Sequence, residues 1–386
     1  MRDIETYTWF PSLKERNAVE WIFFEDWKNT VASAMQKGTY KNMIHAVGIT
    51  AVRDANGVLR PKLAVYVDRN ADVNYILQEI GATRLHEYRV FKTSVPTILP
   101  LFKRHLQAPG CGYRNNRYRP VPVGCGTMGV CSDGRDIYGE PSGCSLGFFV
   151  VTPNGQLAFM SNNHCYSGTV CREITACEGK HAVQPDTACG GRYPDDVIGT
   201  NVVTKDYGSG TWYVDAAYAT IQNADIAEGW LDADQQIHKW TQLARVADPQ
   251  PGTIVKKHGR GIFTYSTNTG VVTTVSACVD VGCTVSGPFR RFCDQIITEY
   301  YISPGDSGSS AWSEDMSTAY GLNFAGGPEI SVFNRAVRVE QELGVKIITI
   351  KGAVGVPPTA VAVDPRYALI ASLLGAVVGR VVYKTT

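Results

Sequence analysis

From residue 125 to residue 348, short apolar and β-branched runs alternate with clusters of turn residues. Gly147-Phe148-Phe149-Val150-Val151 and Leu157-Ala158-Phe159-Met160 read as two strands, and Pro153-Asn154-Gly155 between them suits a hairpin turn. Repetition of this pattern predicts a mainly β body of barrel type. The chain ahead of it is patterned differently. Val19, Ile22, Phe23, Trp27, Val31 and Met35 recur at three- and four-residue steps, which predicts an amphipathic helix over residues 13–37 with Gly38 as its stop. Residues 43–52 and 62–67 read as strands around the turn signal Asn56-Gly57. Residues 71–80 read as a short helix ended by Gly81, and residues 86–93 as a further strand. Residues 234–244 carry a weak helical period, and Asp248-Pro249-Gln250-Pro251-Gly252 reads as a connector. The expected organisation is a small α/β N-terminal domain over residues 1–110 and a linker over 111–124. A β body over 125–350 follows, then a linker and apolar C-terminal segment over 351–386.

Charge changes this picture little. Lys and Arg number 37 against 36 Asp and Glu, a net charge of +1, which gives no ground for a nucleic-acid or strongly acidic partner. Tyr113-Arg114-Asn115-Asn116-Arg117-Tyr118-Arg119-Pro120 interleaves bases with aromatics, a pattern suited to single-stranded nucleic acid. In a neutral chain, beside Pro122 and Gly124, it reads as a solvated linker, so no nucleic acid is expected as a partner. Met1-Arg2-Asp3-Ile4-Glu5 has no apolar core of a secretory signal, which favours the cytoplasm. Eleven cysteines keep an oxidising compartment open, and the odd number leaves at least one unpaired within the chain. Residues 367–378 are apolar but short for a membrane span, and Gly375 and Gly379 have the spacing of helix pairs. The tail therefore reads as a docking helix or oligomer contact, and it and the N-terminal domain are the expected regions for a partner.

Chemistry concentrates in Ser303-Pro304-Gly305-Asp306-Ser307-Gly308-Ser309. A serine between two glycines suits a nucleophile on a tight loop, and the backbone N–H groups of Gly305 and Ser307 can point into one cavity as oxyanion donors. Such a serine needs a histidine base and a carboxylate that orients it. The histidines are His45, His86, His105, His164, His181, His238 and His258, and none follows Ser307. An order with histidine last is thereby excluded, an order with aspartate first lacks an Asp motif ahead of the histidine, and His, then Asp, then Ser survives. His164 is placed best, in the turn after the strand at 157–160. His45, His86, His105 and His258 read as surface or packed side chains. Asp215, at the end of Thr211-Trp212-Tyr213-Val214-Asp215, is favoured over Asp195, Asp196 and Asp206, which lie in loop-like sequence. The expected catalytic set is His164, Asp215 and Ser307.

These residues resemble the chymotrypsin/trypsin-like serine proteases. Gly305 to Ser309 is similar to their serine loop, Asn163-His164-Cys165 to their histidine turn and Val214-Asp215-Ala216-Ala217 to their aspartate strand. Ser161-Asn162-Asn163-His164, Lys257-His258-Gly259-Arg260, Cys293-Asp294-Gln295-Ile296-Ile297 and Gly321-Leu322-Asn323-Phe324-Ala325-Gly326 resemble a bacterial branch with an extra N-terminal domain. The resemblance spans roughly residues 44–348. It implies a chymotrypsin-like double β-barrel and serine endopeptidase activity through an acyl-enzyme, with no cofactor, and a protein or peptide as substrate. It also implies a disulfide between Cys144 and Cys165; buried free thiols are the alternative. Cys278, Cys283 and Cys293 lack the paired spacing of a structural zinc site, so no metal is expected. In the trypsin pattern the position six before the serine holds an acid; here it is Tyr301, which gives no preference for Arg or Lys. Asn323, Phe324, Ala325 and Gly326 resemble the strand that pairs with substrate backbone. With Tyr301 they imply a medium apolar side chain at the cleavage site. No Ile-Val-Gly-Gly start is present, so Asp306 is expected to pair with an internal base or with backbone N–H groups. The competing readings are a non-catalytic protease-fold scaffold and an esterase on the same fold.

Overall fold

The apolar runs fold into two curled sheets and a set of N-terminal elements joined to the second. The structure, a computed structural model, describes residues 18–35, 43–79, 88–94, 116–222, 225–231, 236–240, 245–260, 268–284 and 288–349. His86, His105, the start of the 111–124 linker and the C-terminal segment with Gly375 and Gly379 lie outside the described residues.

The N-terminal elements are helix α1 (Ala18–Ala34), strands β1 (Ile44–Arg53) and β2 (Leu59–Asp68), helix α2 (Val73–Glu79) and strand β3 (Tyr88–Thr93). The β1–β2 turn falls at Asn56-Gly57: the Asp54 carboxylate accepts the N–H groups of Asn56 and Val58, and Gly57 takes φ 76°. Strand β4 (Val121–Val123) belongs to a small three-stranded sheet of its own, and the first barrel follows as β5 (Gly126–Val130), β6 (Cys144–Ser145), β7 (Phe148–Val151), β8 (Leu157–Ser161), the short helix α3 (Asn163–Tyr166), β9 (His181–Val183), β10 (Val197–Thr204) and β11 (Ala217–Ile221). Strands β12 (Ile226–Leu231), β13 (Ile237–Lys239) and β14 (Arg245–Val246) connect it to the second. The second comprises β15 (Ile254–His258), β16 (Thr269–Gly282), β17 (Phe289–Glu299), β18 (Ser310–Trp312), β19 (Thr318–Gly326) and β20 (Ile330–Arg335). Helix α4 (Ala336–Leu343) and β21 (Lys346–Ile348) then return to the first sheet, where β21 pairs with β7.

The first sheet has the order β21-β7-β8-β11-β10-β9-β5-β6. The second runs β15-β18-β19-β20-β17-β16, and pairing of β15 with β16 closes the ring. Two curled β sheets, one closed, make the mainly β, chymotrypsin-like double barrel. Within residues 234–244 the described part is a strand, not a helix. Ile237, His238 and Lys239 pair with Leu231, Trp230 and Gly229, so cross-strand partners overrode the weak helical period.

The second sheet does not stop at β16. That strand also pairs antiparallel with β1, setting Ala46 opposite Val279 and Val47 opposite Cys278, and β2 and β3 extend the sheet beyond it. Phe24 and Val31 of α1 and Val47 and Val65 of the N-terminal hairpin share one apolar cluster with Val272, Val275 and Ile296 of the barrel. Burial of each such large side chain contributes about 1.5–3 kcal/mol. Gly48 makes the close approach: a Cβ there would stand 2.5 Å from Thr274 Cγ2 and 3.0 Å from Ala277 Cα.

Four disulfides join described residues: Cys131–Cys177, Cys144–Cys165, Cys171–Cys283 and Cys278–Cys293. Cys171–Cys283 ties the first barrel to the end of β16. Among the described residues Cys125 is free, and it is buried. No helix among them is long and apolar enough to cross a membrane.

Candidate active site

His164 sits in α3, one residue beyond the turn that ends β8. Asn162 leaves the strand in an extended conformation, and its carbonyl accepts the N–H groups of Cys165 and Tyr166, which forces the short helix. The Asn163 side chain donates to Thr169 and Thr204 and accepts from Val170 N, while the Tyr138 hydroxyl donates to the His164 carbonyl at 2.7 Å. The backbone of the histidine is thus fixed from both sides.

Asp215 lies two residues ahead of β11, in irregular backbone. Its main-chain groups are bonded to asparagine side chains in place of a ladder. Its N–H donates to Asn334 Oδ1 at 2.9 Å, and its carbonyl accepts from Asn162 Nδ2 at 2.7 Å and Asn334 Nδ2 at 3.2 Å. Asn162 comes from the first barrel and Asn334 from the second, so Asp215 is clamped between them. Its carboxylate serves one residue: Oδ2 lies 2.6 Å from His164 Nδ1, and Oδ1 accepts the His164 main-chain N–H at 3.0 Å. Both side chains are fully buried. A carboxylate can only accept, so in the neutral imidazole Nδ1 carries the proton and Nε2 presents a lone pair. Nε2 is buried and has no hydrogen-bond partner.

The serine loop is held from within and from the first barrel. Asp306 Oδ2 accepts Ser303 N–H, and the Asp306 main chain exchanges bonds with Ser303 O and Ser309 N. Lys257 Nζ lies 2.5 Å from Asp306 Oδ2, with the two side chains 2% and 0% exposed. This lysine is the internal base for Asp306. Gly308 takes φ 81°, and a Cβ on it would stand 2.1 Å from Ser161 Oγ, so only glycine lets the loop press against the end of β8. Ser145 N–H donates to the Ser307 carbonyl at 2.7 Å, which brings the serine to the barrel that carries His164. No hydrogen bond joins the Ser307 hydroxyl to His164 Nε2. Among the described residues no acceptor is bonded to the N–H of Gly305 or Ser307, so both donors remain available to a substrate oxygen.

The remaining candidates divide. Tyr301 is fully buried, its hydroxyl donates to Asn323 Oδ1, and the N–H groups of Tyr301 and Ile302 share Ser331 Oγ. Burial pushes the Tyr301 phenol well above its ordinary range. The Phe324 ring packs 4.8 Å from Phe292 within an apolar cluster that also holds Trp212 and Ala325. Asn323 donates to Ser309 Oγ at 3.0 Å, which ties strand β19, ending at Gly326, to the serine loop. The rival acids face other partners: Asp196 pairs with Arg117 and Asp206 with Arg172, and Asp195 is exposed. His258 packs 5.8 Å from Trp230. His45 Nε2 lies 3.7 Å from Asp68 Oδ2. Among the described residues one His/Cys/Asp/Glu group is tight enough for a metal ion, Cys144 with His164 and Cys165, and the disulfide consumes both sulfurs. Sequence reasoning missed Asn162, Asn334, Ser145 and Lys257 as supports of the site. The expectation of an internal base was the one signal that pointed toward Lys257.

No protein-family model matches the chain, and no curated protein matches it. Solved structures similar to it include the Nocardiopsis protease NAPase, at 14% identity over 57% of this chain and 97% of that one, with a TM-score of 0.38. The protease Rv3671c in its inactive form matches at 16% identity over 52% and 82%, with a TM-score of 0.29. The protease domain of MamO from Magnetospirillum magneticum matches at 14% identity over 58% and 97%, with a TM-score of 0.33. Likenesses this distant add no argument about chemistry, which rests on the site itself.

Proposed function

We propose that the chain is a serine endopeptidase that works through an acyl-enzyme, with Ser307 as nucleophile, His164 as general base and Asp215 as its orienting carboxylate. One observation carries this reading. The buried Asp215 carboxylate accepts from both the ring and the main chain of His164 and leaves Nε2 without a partner, beside a serine loop with two unspent N–H donors. In that arrangement Nε2 takes the Ser307 proton as Oγ attacks a peptide carbonyl. The oxygen of the tetrahedral intermediate gathers charge, and the N–H groups of Gly305 and Ser307 receive it. The imidazolium, stabilised by Asp215, then protonates the leaving amine. Water repeats the cycle on the acyl-enzyme. The bond between Ser307 and Nε2 forms when substrate enters, since catalytic hydrogen bonds often tighten only in the complex.

A substrate strand would align with residues 323–326, and Tyr301 bonded to Asn323 supports a pocket without charge. The disulfides suit folding in an oxidising compartment. The missing bond between Ser307 and His164 is the one observation that favours the scaffold reading. A fluorophosphonate probe separates them: labelling of the wild type and none of Ser307→Ala supports the enzyme, and no labelling of either supports the scaffold. Digestion of casein then separates peptidase from esterase.

A further inference from the structure

The serine loop is pinned to the first barrel by a residue that has no part in the proton relay. Ser145, at the end of β6, is fully buried. Its N–H donates to the Ser307 carbonyl at 2.7 Å, and its carbonyl accepts from Ser161 Oγ at 2.8 Å, on the strand that leads to His164. Its hydroxyl accepts the Arg260 N–H at 2.8 Å and donates to the Gly305 carbonyl at 2.7 Å. A hydroxyl has one proton. With Arg260 on its acceptor side, that proton has a single buried destination, the Gly305 oxygen.

We infer that the Ser145 hydroxyl is a positioning residue for the oxyanion donors, an inference that rests on the proposed enzyme reading. Gly305 sits at φ 95°, a region where glycine is unrestrained by a side chain. The peptide that follows it carries the Gly305 carbonyl, and the next peptide carries the Ser307 N–H. Ser145 grips this stretch at both ends, through the Gly305 and Ser307 carbonyls. Asp306 between them is held by Lys257 and by Ser303 N–H. Together these bonds set the planes that aim the two N–H groups at one point. Loss of the hydroxyl frees the Gly305 carbonyl while the bond from Ser145 N–H to Ser307 remains. The nucleophile stays in place and the donors lose their convergence.

The test is Ser145→Ala, assayed on a peptide substrate beside the wild type. The expected result is a fall in kcat of about 10- to 100-fold, the scale of small misplacements at a reacting centre, with KM nearly unchanged. Affinity for a peptide boronic acid, whose tetrahedral adduct draws on the same donors, falls by a similar factor. Wild-type kcat in Ser145→Ala, or a loss confined to KM or to thermal stability, overturns the inference. Should Ser145→Ala fail to fold, Ser145→Gly leaves room for a water to satisfy Arg260 N–H and is read by the same criteria. Fluorophosphonate labelling keeps the two levels apart. A wild type that does not label at Ser307 overturns the enzyme reading and this inference with it. A labelled wild type with unaffected Ser145 variants overturns the inference alone.

Discussion

A carboxylate that accepts from two donors of one histidine fixes both the tautomer and the orientation of the ring. Asp215→Asn replaces an acceptor with a group that can also donate to Nδ1, and so can hold the ring with its proton on the wrong nitrogen. Turnover is expected to fall by roughly 10⁴ at neutral pH with the fold retained. Asp195→Asn, Asp196→Asn and Asp206→Asn, whose side chains face solvent or arginines, are expected to stay near the wild-type rate on the same peptide substrate. A near-normal Asp215→Asn would show that the third member of the relay lies elsewhere. Lys257→Met leaves the Asp306 carboxylate buried without its cation. Breaking one side of a buried pair costs about 3–5 kcal/mol, which chemical denaturation would read directly. Ser307 and His164 stood out in the sequence because each lies in a local motif whose expected chemistry follows from neighbours in the chain. Asn162, Asn334 and Lys257 were not. Their roles depend on which loops meet across the two barrels, and an asparagine that clamps a backbone has the same local sequence as one in solvent.

At the scale of elements, the hairpin β1–β2, the strand at 88–93 and the helix over 73–79 follow closely from turn signals and periodicity. Where β1 would find its second neighbour did not, because strand pairing across the length of the chain leaves no local signature. Gly48 gives a test of that pairing. Gly48→Ala pushes a methyl group against Thr274 and Ala277 and should lower stability by about 1–3 kcal/mol, as overpacking does, measured by thermal or chemical unfolding. His45, on the same strand, gives a second. Burial lowers its pKa from 6.5, against the opposing pull of Asp68 and Asp280. As pH falls through the ordinary histidine range, the unfolded chain takes up the proton before the folded one does. Stability therefore declines from about pH 6.5 down to the lowered folded value and levels off below it. His45→Gln should flatten the fall in Tm across that window, and an unchanged profile would mean the ring is solvated.

Across the whole molecule, the bond between Cys171 and Cys283 spans 112 residues and holds one barrel to the other. By the chain-entropy argument a loop of this size is worth about 4–5 kcal/mol. Replacing both cysteines with serine should cost a comparable amount, together with looser registry between the half-site of His164 and that of Ser307. Cys125 provides a compartment-independent check: burial pushes its thiol up, and it should resist alkylation until denaturant is added. The cysteine count was visible from the outset, and the resemblance implied Cys144–Cys165, but the other partners were not legible, since pairing is set by the fold. The union of β1 with β16 also has a temporal side. The two strands lie roughly two hundred residues apart, and synthesis at 5–20 residues per second separates their emergence by on the order of ten seconds or more. Through that interval one edge of β1 keeps its backbone N–H and C=O groups without their partner strand. The two strands therefore join late, by a slow non-local closure, and newly made protein should be most prone to edge-to-edge aggregation before the strand at 269–282 arrives.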